Sequence, residues 1–148
     1  MGIAINERLS RTPFEQNLRA AAVLEFTEEV FESDTYKPLE VLTPKENKLF
    51  IVNRKDGTLT VLSVDVTNNV TKETWFTDEI ISMKEYFEHY KFDDNTPPQR
   101  LEITFKGGHL LEINPNLSTK GKEEAVINQV NEDFESLIGA LKYTKILK

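Results

Sequence analysis

The last third of the chain constrains the fold more than any other stretch. Leu101, Glu102, Ile103, Thr104 and Phe105 alternate apolar and polar side chains, the period of a strand with one buried face. Lys106-Gly107-Gly108-His109 supplies a turn, and residues 110–113 return as a second strand. Asn114-Pro115 ends that strand, because proline cannot donate to a ladder. An amphipathic helix is expected over residues 119–142. Val126, Ile127, Val130, Phe134, Leu137, Ile138 and Leu141 form its apolar stripe, with Asn128, Glu132, Glu135 and Lys142 opposite. Ser118 or Thr119 is placed to cap it, and Glu123-Glu124 in front with Lys142 and Lys145 behind complement the helix dipole. A hairpin closed by one long helix points to an antiparallel fold and by itself carries no chemistry.

A second helix is expected at residues 12–33. Thr12, Pro13 and Glu15 form a capping box with proline at the first helical position. Phe14, Leu18, Ala21, Ala22, Val23, Phe26 and Val30 make its apolar stripe. It should end near Ser33-Asp34, before a loop around Tyr36-Lys37-Pro38. Residues 47–114 then read as antiparallel strands. Residues 48–53 and 58–66 flank Arg54-Lys55-Asp56-Gly57, where glycine accepts the positive φ of a tight turn. In the return strand Leu59 and Val61 lie on one face, while Leu62 and Val64 lie on the other with Thr60. Apolar residues on both faces imply that both sides are covered, one of them by the N-terminal helix. Asn68-Asn69 marks another turn, and 71–76, with the only tryptophan, Trp75, reads as a strand. Residues 79–83 read as a further strand extending to about Tyr86, with a helical turn over 84–91 as the alternative. Asp93 to Pro98 is a loop containing two prolines. The expected class is α+β: one domain over 1–148, a partly open antiparallel barrel or bent sheet closed by the C-terminal helix, with the N-terminal helix added.

The chain of 148 residues carries 25 acidic against 18 basic side chains, a net charge of −7. Such a chain is repelled by nucleic-acid phosphates and anionic lipid surfaces. The local basic clusters, Arg54-Lys55 and Lys120-Gly121-Lys122, read as solvated turn residues. No apolar run has the length of a membrane span, and no secretory signal is visible. Met1-Gly2 is followed by Asn6 where myristoylation needs Ser or Thr. Cysteine is absent, which removes disulfides, thiolate metal sites and cysteine nucleophiles. A cytoplasmic location is the expectation.

Candidate chemistry is sparse. His89 and His109 are the only histidines, and no Gly-x-Ser-x-Gly elbow accompanies them. His109 reads as an exposed turn residue. Glu85, Glu88, His89, Asp93 and Asp94 form the densest set of possible metal ligands; on a helix Glu85 and His89 would share a face at i, i+4. The plainer reading is a solvated acidic edge leading into a loop. Ser118-Thr119-Lys120-Gly121-Lys122 matches half of a phosphate-binding loop but lacks the earlier glycine and is followed by Glu123. Trp75, Phe76, Tyr86 and Phe87 are expected mainly in the core. The expectation is no catalytic residue, no metal and no cofactor.

In its order of elements the stretch 48–143 resembles bacterial pleckstrin-homology-like (PH-like) domains. The hairpin of 48–66, the strands around Trp75 and Met83, the Leu101–Ile113 hairpin with its Lys106-Gly107-Gly108-His109 tip, and the helix through Phe134 and Leu137 carry the likeness. The chain is also similar to small PH-like proteins of low-GC Gram-positive bacteria and their phages. About six strands are countable where such barrels have seven, and the N-terminal helix is an addition. The resemblance implies a binding scaffold for proteins, peptides or lipids. With the charge, it implies a protein-interaction module, adaptor or inhibitor of a larger protein, with a protein partner and neither nucleic acid nor membrane. A self-assembling homo-oligomer is the alternative, and a metal enzyme using Glu85, Glu88, His89 and Asp93 a further one.

Overall fold

The computed structural model of the protein describes residues 36–43, 45–67, 69–88, 90, 96–115 and 124–147. Among the described residues the regular structure is seven strands, a 3-10 turn and one long helix: β1 (Tyr36–Leu42), β2 (Glu46–Asn53), β3 (Thr58–Asp65), β4 (Val70–Phe76), the turn Thr77–Glu79, β5 (Ile80–Tyr86), β6 (Arg100–Phe105), β7 (Leu110–Ile113) and α1 (Glu124–Leu147). The fold is α+β. Two antiparallel meanders, β1-β2-β3-β4 and β5-β6-β7, lie either side of a common core. The expected helix over 12–33 lies outside the described residues.

Three expectations are corrected. Among the described residues the two sheets exchange no strand pairs, so they do not close into a barrel. Strands begin at Tyr36, where a loop was expected. Pro38 interrupts the residue pattern there, yet among the described residues β1 is an edge strand that pairs with β2 alone, and a proline without an N–H is tolerated in that position. The C-terminal helix continues past Lys142 to Leu147. The apolar stripe ends at Leu141, but Tyr143, Thr144 and Lys145 contain no glycine or proline to stop a helix.

The segment that allowed two readings, 79–91, is a strand as far as Tyr86. A 3-10 turn at Thr77–Glu79 carries the chain from the edge of one sheet to the edge of the other. Thr77 fixes this corner: it is buried, its N–H donates to the Gly57 carbonyl at 2.9 Å, and its hydroxyl donates to the same oxygen at 3.0 Å. Glu79 is held in turn by the Lys106 N–H, which donates to its carbonyl at 2.7 Å. At the β2–β3 turn the expected glycine takes φ of 70°, and the Asn53 side chain accepts from the amides of Lys55 and Asp56 at 3.0 and 3.1 Å. Both contacts replace ladder bonds that the turn gives up.

The core follows from period two in the strands and 3.6 in the helix. Leu39, Val41, Phe50, Val52, Leu59 and Val61 come from the first sheet. Leu101, Ile103, Phe105 and Ile113 come from the second, and Val130, Phe134, Leu137, Ile138 and Leu141 from α1. The helix lies mainly along β1 and touches β2 and the 3-10 turn. Trp75 packs on this core as expected, its ring stacked on Phe105 at 4.4 Å between centroids. Phe76 and Phe87, in contrast, are exposed: Phe76 alternates with Trp75 along β4 and so lies on the face away from the core, and Phe87 follows the end of β5. No helix is long and apolar enough to cross a membrane among the described residues.

Candidate functional site: a groove between a sheet edge and the helix

Among the described residues β5 is one edge of the second sheet, pairing with β6 alone, and the C-terminal half of α1 runs beside it. Between them lies an open groove of about 290 Å³. Phe87, Pro98 and Ile138 supply its apolar surface, and Glu85, Glu135 and Lys142 its charges. The helix contributes a gap in its own side-chain cover at Gly139, which is exposed and would find nothing within 4 Å of an added Cβ. At the far side Phe87 stands edge-on to Tyr90, the ring centroids 5.6 Å apart. Across the groove, Lys142 Nζ donates to Glu85 Oε2 at 2.7 Å, tying helix to strand. That pair is partly exposed and joins two separate elements, so its contribution to stability is small, about 0–1 kcal/mol.

Phe87 also borders a second hollow of about 220 Å³, lined by Tyr86, Glu88, Gln99, Arg100 and Asn114. Its wall is stiffened by stacking: the Arg100 guanidinium carbon lies 3.8 Å from the centre of the Tyr86 ring. The Gln99 N–H donates to the Tyr86 carbonyl at 2.7 Å, which ends β5. Both hollows are shallow and smaller than the cavities that enclose small-molecule ligands. Their sizes suit single side chains of a bound polypeptide.

The residues proposed as metal ligands are not assembled as the helical reading required. Glu85 stands on a strand and engages Lys142, and Glu88 is exposed in the turn that follows. His89, Asp93 and Asp94 lie outside the described residues. Among the described residues no group of three or more His, Cys, Asp or Glu side chains is placed to hold a metal. His109 sits in the β6–β7 turn, exposed, its ring 6.2 Å from that of Trp75. Arg54 and Lys55 occupy the β2–β3 turn; Lys120, Gly121 and Lys122 lie outside the described residues.

Sequence reasoning missed the groove, since its parts come from β5, the segment after it and α1. One signal was present. Gly139 interrupts an otherwise good helix former, at a cost of about 0.5–1 kcal/mol relative to alanine, and no turn or positive φ requires it. No family model, curated protein or solved structure matches the chain.

Proposed function

We propose that the chain is a non-enzymatic, PH-like protein-interaction module that takes an extended segment of a partner protein along the edge of β5, against α1. The observation that carries this reading is the coincidence of a strand edge that is unpaired among the described residues with an apolar groove at its side. An edge strand offers backbone N–H and C=O groups for an added strand, and a neighbouring groove receives alternate side chains. The PH-like part of the reading is supported by element order: four strands, then three, then one C-terminal helix. The net charge of −7, with Glu85, Glu88 and Glu135 around the groove, favours a basic segment over nucleic acid or an anionic membrane. Such a module would act in the cytoplasm as an adaptor for, or inhibitor of, a larger protein.

Selection from a displayed random-peptide library against the purified chain, followed by calorimetric titration of the selected peptides, tests the proposal. Gly139→Trp fills the groove from an open position on the helix and should weaken binding at least tenfold without lowering stability. Peptides that bind Gly139→Trp as well as the native chain would place the contact elsewhere. A second reading, self-assembly, is favoured by β4, which among the described residues is an edge of the four-stranded sheet and exposes Val70 and Phe76. Light scattering on the native chain and on Phe76→Lys separates a strand-edge homo-oligomer from a monomeric module.

A further inference from the structure

β4 is the most exposed of the described strands. All of Val70–Phe76 except Trp75 is exposed, on both faces of the sheet. Val70 and Phe76, at its two ends, are 50% and 57% exposed and share one face with Lys72 and Thr74. Thr71, Glu73 and Trp75 share the other face. Among the described residues β4 pairs with β3 alone.

The ladder to β3 fixes which backbone groups reach the outer edge. Thr77 N–H donates to the Gly57 carbonyl at 2.9 Å, and Asp65 N–H donates to the Asn69 carbonyl at 3.1 Å. Both bonds fall in the regular β3–β4 register, and successive residues of a strand direct their N–H and C=O to opposite sides. Thr71, Glu73 and Trp75 therefore face β3, while Val70, Lys72, Thr74 and Phe76 direct their backbone groups to the outer edge.

Two identical strands pair antiparallel about a two-fold axis, and the residue on that axis faces itself. Centred on Glu73, Val70 meets Phe76 of the second copy, Thr71 meets Trp75, and Lys72 meets Thr74. Every outward residue then opposes an outward residue. Centred on Lys72 the ladder leaves Phe76 outside and sets ammonium against ammonium; centred on Thr74 it leaves Val70 outside. The Glu73 register matches aromatic with β-branched side chains, a favourable kind of cross-strand pair. It has one flaw. Glu73 faces Glu73 in a pair without mutual hydrogen bonds, where Cα atoms come closest, about 4.5 Å, and like charges repel.

We propose that β4 pairs antiparallel with β4 of a second copy about an axis at Glu73, and that Glu73 is the brake that keeps this pairing weak. The pairing rests on strand-edge self-assembly, the second reading given above, and adds to it a register and a controlling residue. A second copy is the fitting partner because the strand complements itself, with β-branched residues in its first half and aromatics in its second. Seven residues a side fall well short of the roughly 20–30 of a stable interface, so the contact is weak and reversible. The β5 groove takes no part in it. A pair of chains therefore carries two grooves, which bind a repeated segment more tightly than one does.

Sedimentation velocity over a wide range of concentration reads the association. Glu73→Gln keeps the size and loses the charge, and should associate about threefold or more tighter than the native chain. Thr74→Pro removes an N–H that points to the outer edge and no bond to β3, so the chain should stay folded and lose the association. Equal association of the native chain and both variants would leave self-assembly standing and overturn pairing at β4. A Glu73→Gln chain that associates no tighter than the native one would overturn the role of Glu73. Glu73→Gln monomeric at every concentration would overturn self-assembly as well.

The register is read separately. The chain has no native cysteine, and Lys72 and Thr74 of opposite copies would stand about 5.5 Å apart at Cα, within disulfide reach. A mixture of Lys72→Cys and Thr74→Cys chains, told apart by mass, should oxidise to the mixed dimer ahead of either variant alone. Faster self-bridging of Thr74→Cys would move the axis to Thr74 and overturn the register, and equal rates in all three samples would do the same. Should Thr74→Pro unfold, the cysteine mixture still gives the answer.

Discussion

β3 and β6 are the two central strands that can be compared directly, and their sequences differ in kind. β6, Arg100–Phe105, alternates strictly between half-exposed and buried positions. β3, Thr58–Asp65, is buried at Leu59, Thr60, Val61 and Leu62 in succession. Antiparallel sheets commonly bury one face and wet the other, and β6 follows that rule. On its outer side Arg100 lies 3.8 Å from Glu102 and 3.7 Å from Glu112, with Lys84 and Arg100 both over the Tyr86 ring. β3 departs from the rule, and the departure has a structural meaning: the strand is buried on both faces. The run Leu59-Thr60-Val61-Leu62 carries that information locally, one residue after another, whereas the strict alternation of β6 announces a surface.

The comparison can be broken first at the point both sheets share. Phe134 on α1 is fully buried among residues of both. Phe134→Ala should cost about 3–5 kcal/mol, read as a lower urea midpoint. A loss below about 1 kcal/mol would mean that the two sheets do not depend on a common core. The next test sets the outer faces against each other. Leu62→Ala, on the second face of the first sheet, should cost about 2–5 kcal/mol. Leu110→Ala, exposed in β7, should stay within about 0.5 kcal/mol of the native chain. Equal effects at these two leucines would erase the distinction between a sheet buried on both faces and one with a wet face.

Much of this architecture was legible because it is written in short periods. The alternation of residues 101–105, the Gly107-Gly108 turn with φ of 88° and 83°, and the stripe through Phe134 and Leu141 all reappear in the structure. The Asp56-Gly57 turn and the strand carrying Trp75 do as well. β1 was hidden because Tyr36-Lys37-Pro38 carries turn-like residues, and only its pairing with β2 makes it a strand. The separation of the sheets was hidden for a different reason. Whether β4 goes on to pair with β5 depends on the corner that Thr77 builds with Gly57, a contact between residues far apart in the chain. The groove was hidden for the same reason, since Phe87, Pro98 and Gly139 meet only in three dimensions.

A smaller effect, opposite in sign, sharpens the contrast between structural and binding surfaces. Gly139→Ala adds a methyl group in open space on α1 and restricts the unfolded chain. It should stabilise by about 0.5–1 kcal/mol in a thermal or urea melt. If the groove receives a partner's side chain, the same substitution should weaken selected peptides while raising stability. A stabilised variant with unchanged peptide affinity would assign the glycine to neither role.

The smallest effect belongs to the turn that leaves β3. Asp65 Oδ1 accepts from the Thr67 hydroxyl at 2.7 Å, the Thr67 N–H at 2.9 Å and the Asn69 N–H at 3.0 Å. Its Oδ2 accepts from Asn69 Nδ2 at 3.3 Å. These donors, the Thr67 hydroxyl foremost, favour the charged form and hold the carboxyl below the ordinary aspartate value. Because the folded value lies below the unfolded one, the turn's contribution is fully present above the ordinary aspartate range. It is lost as pH falls through the lowered folded value. Asp65→Asn keeps the shape but has no charge to titrate, so the difference in urea midpoint between native chain and variant should be largest near neutrality and shrink on acidification. A difference that stays constant or widens toward low pH would show that the Thr67 and Asn69 bonds do not depend on the charge. The half-exposed ion pairs of Arg100 on the second sheet should by contrast weaken with added salt. Repeating both titrations in high salt therefore separates a turn held by short local hydrogen bonds from a face held by long-range attraction.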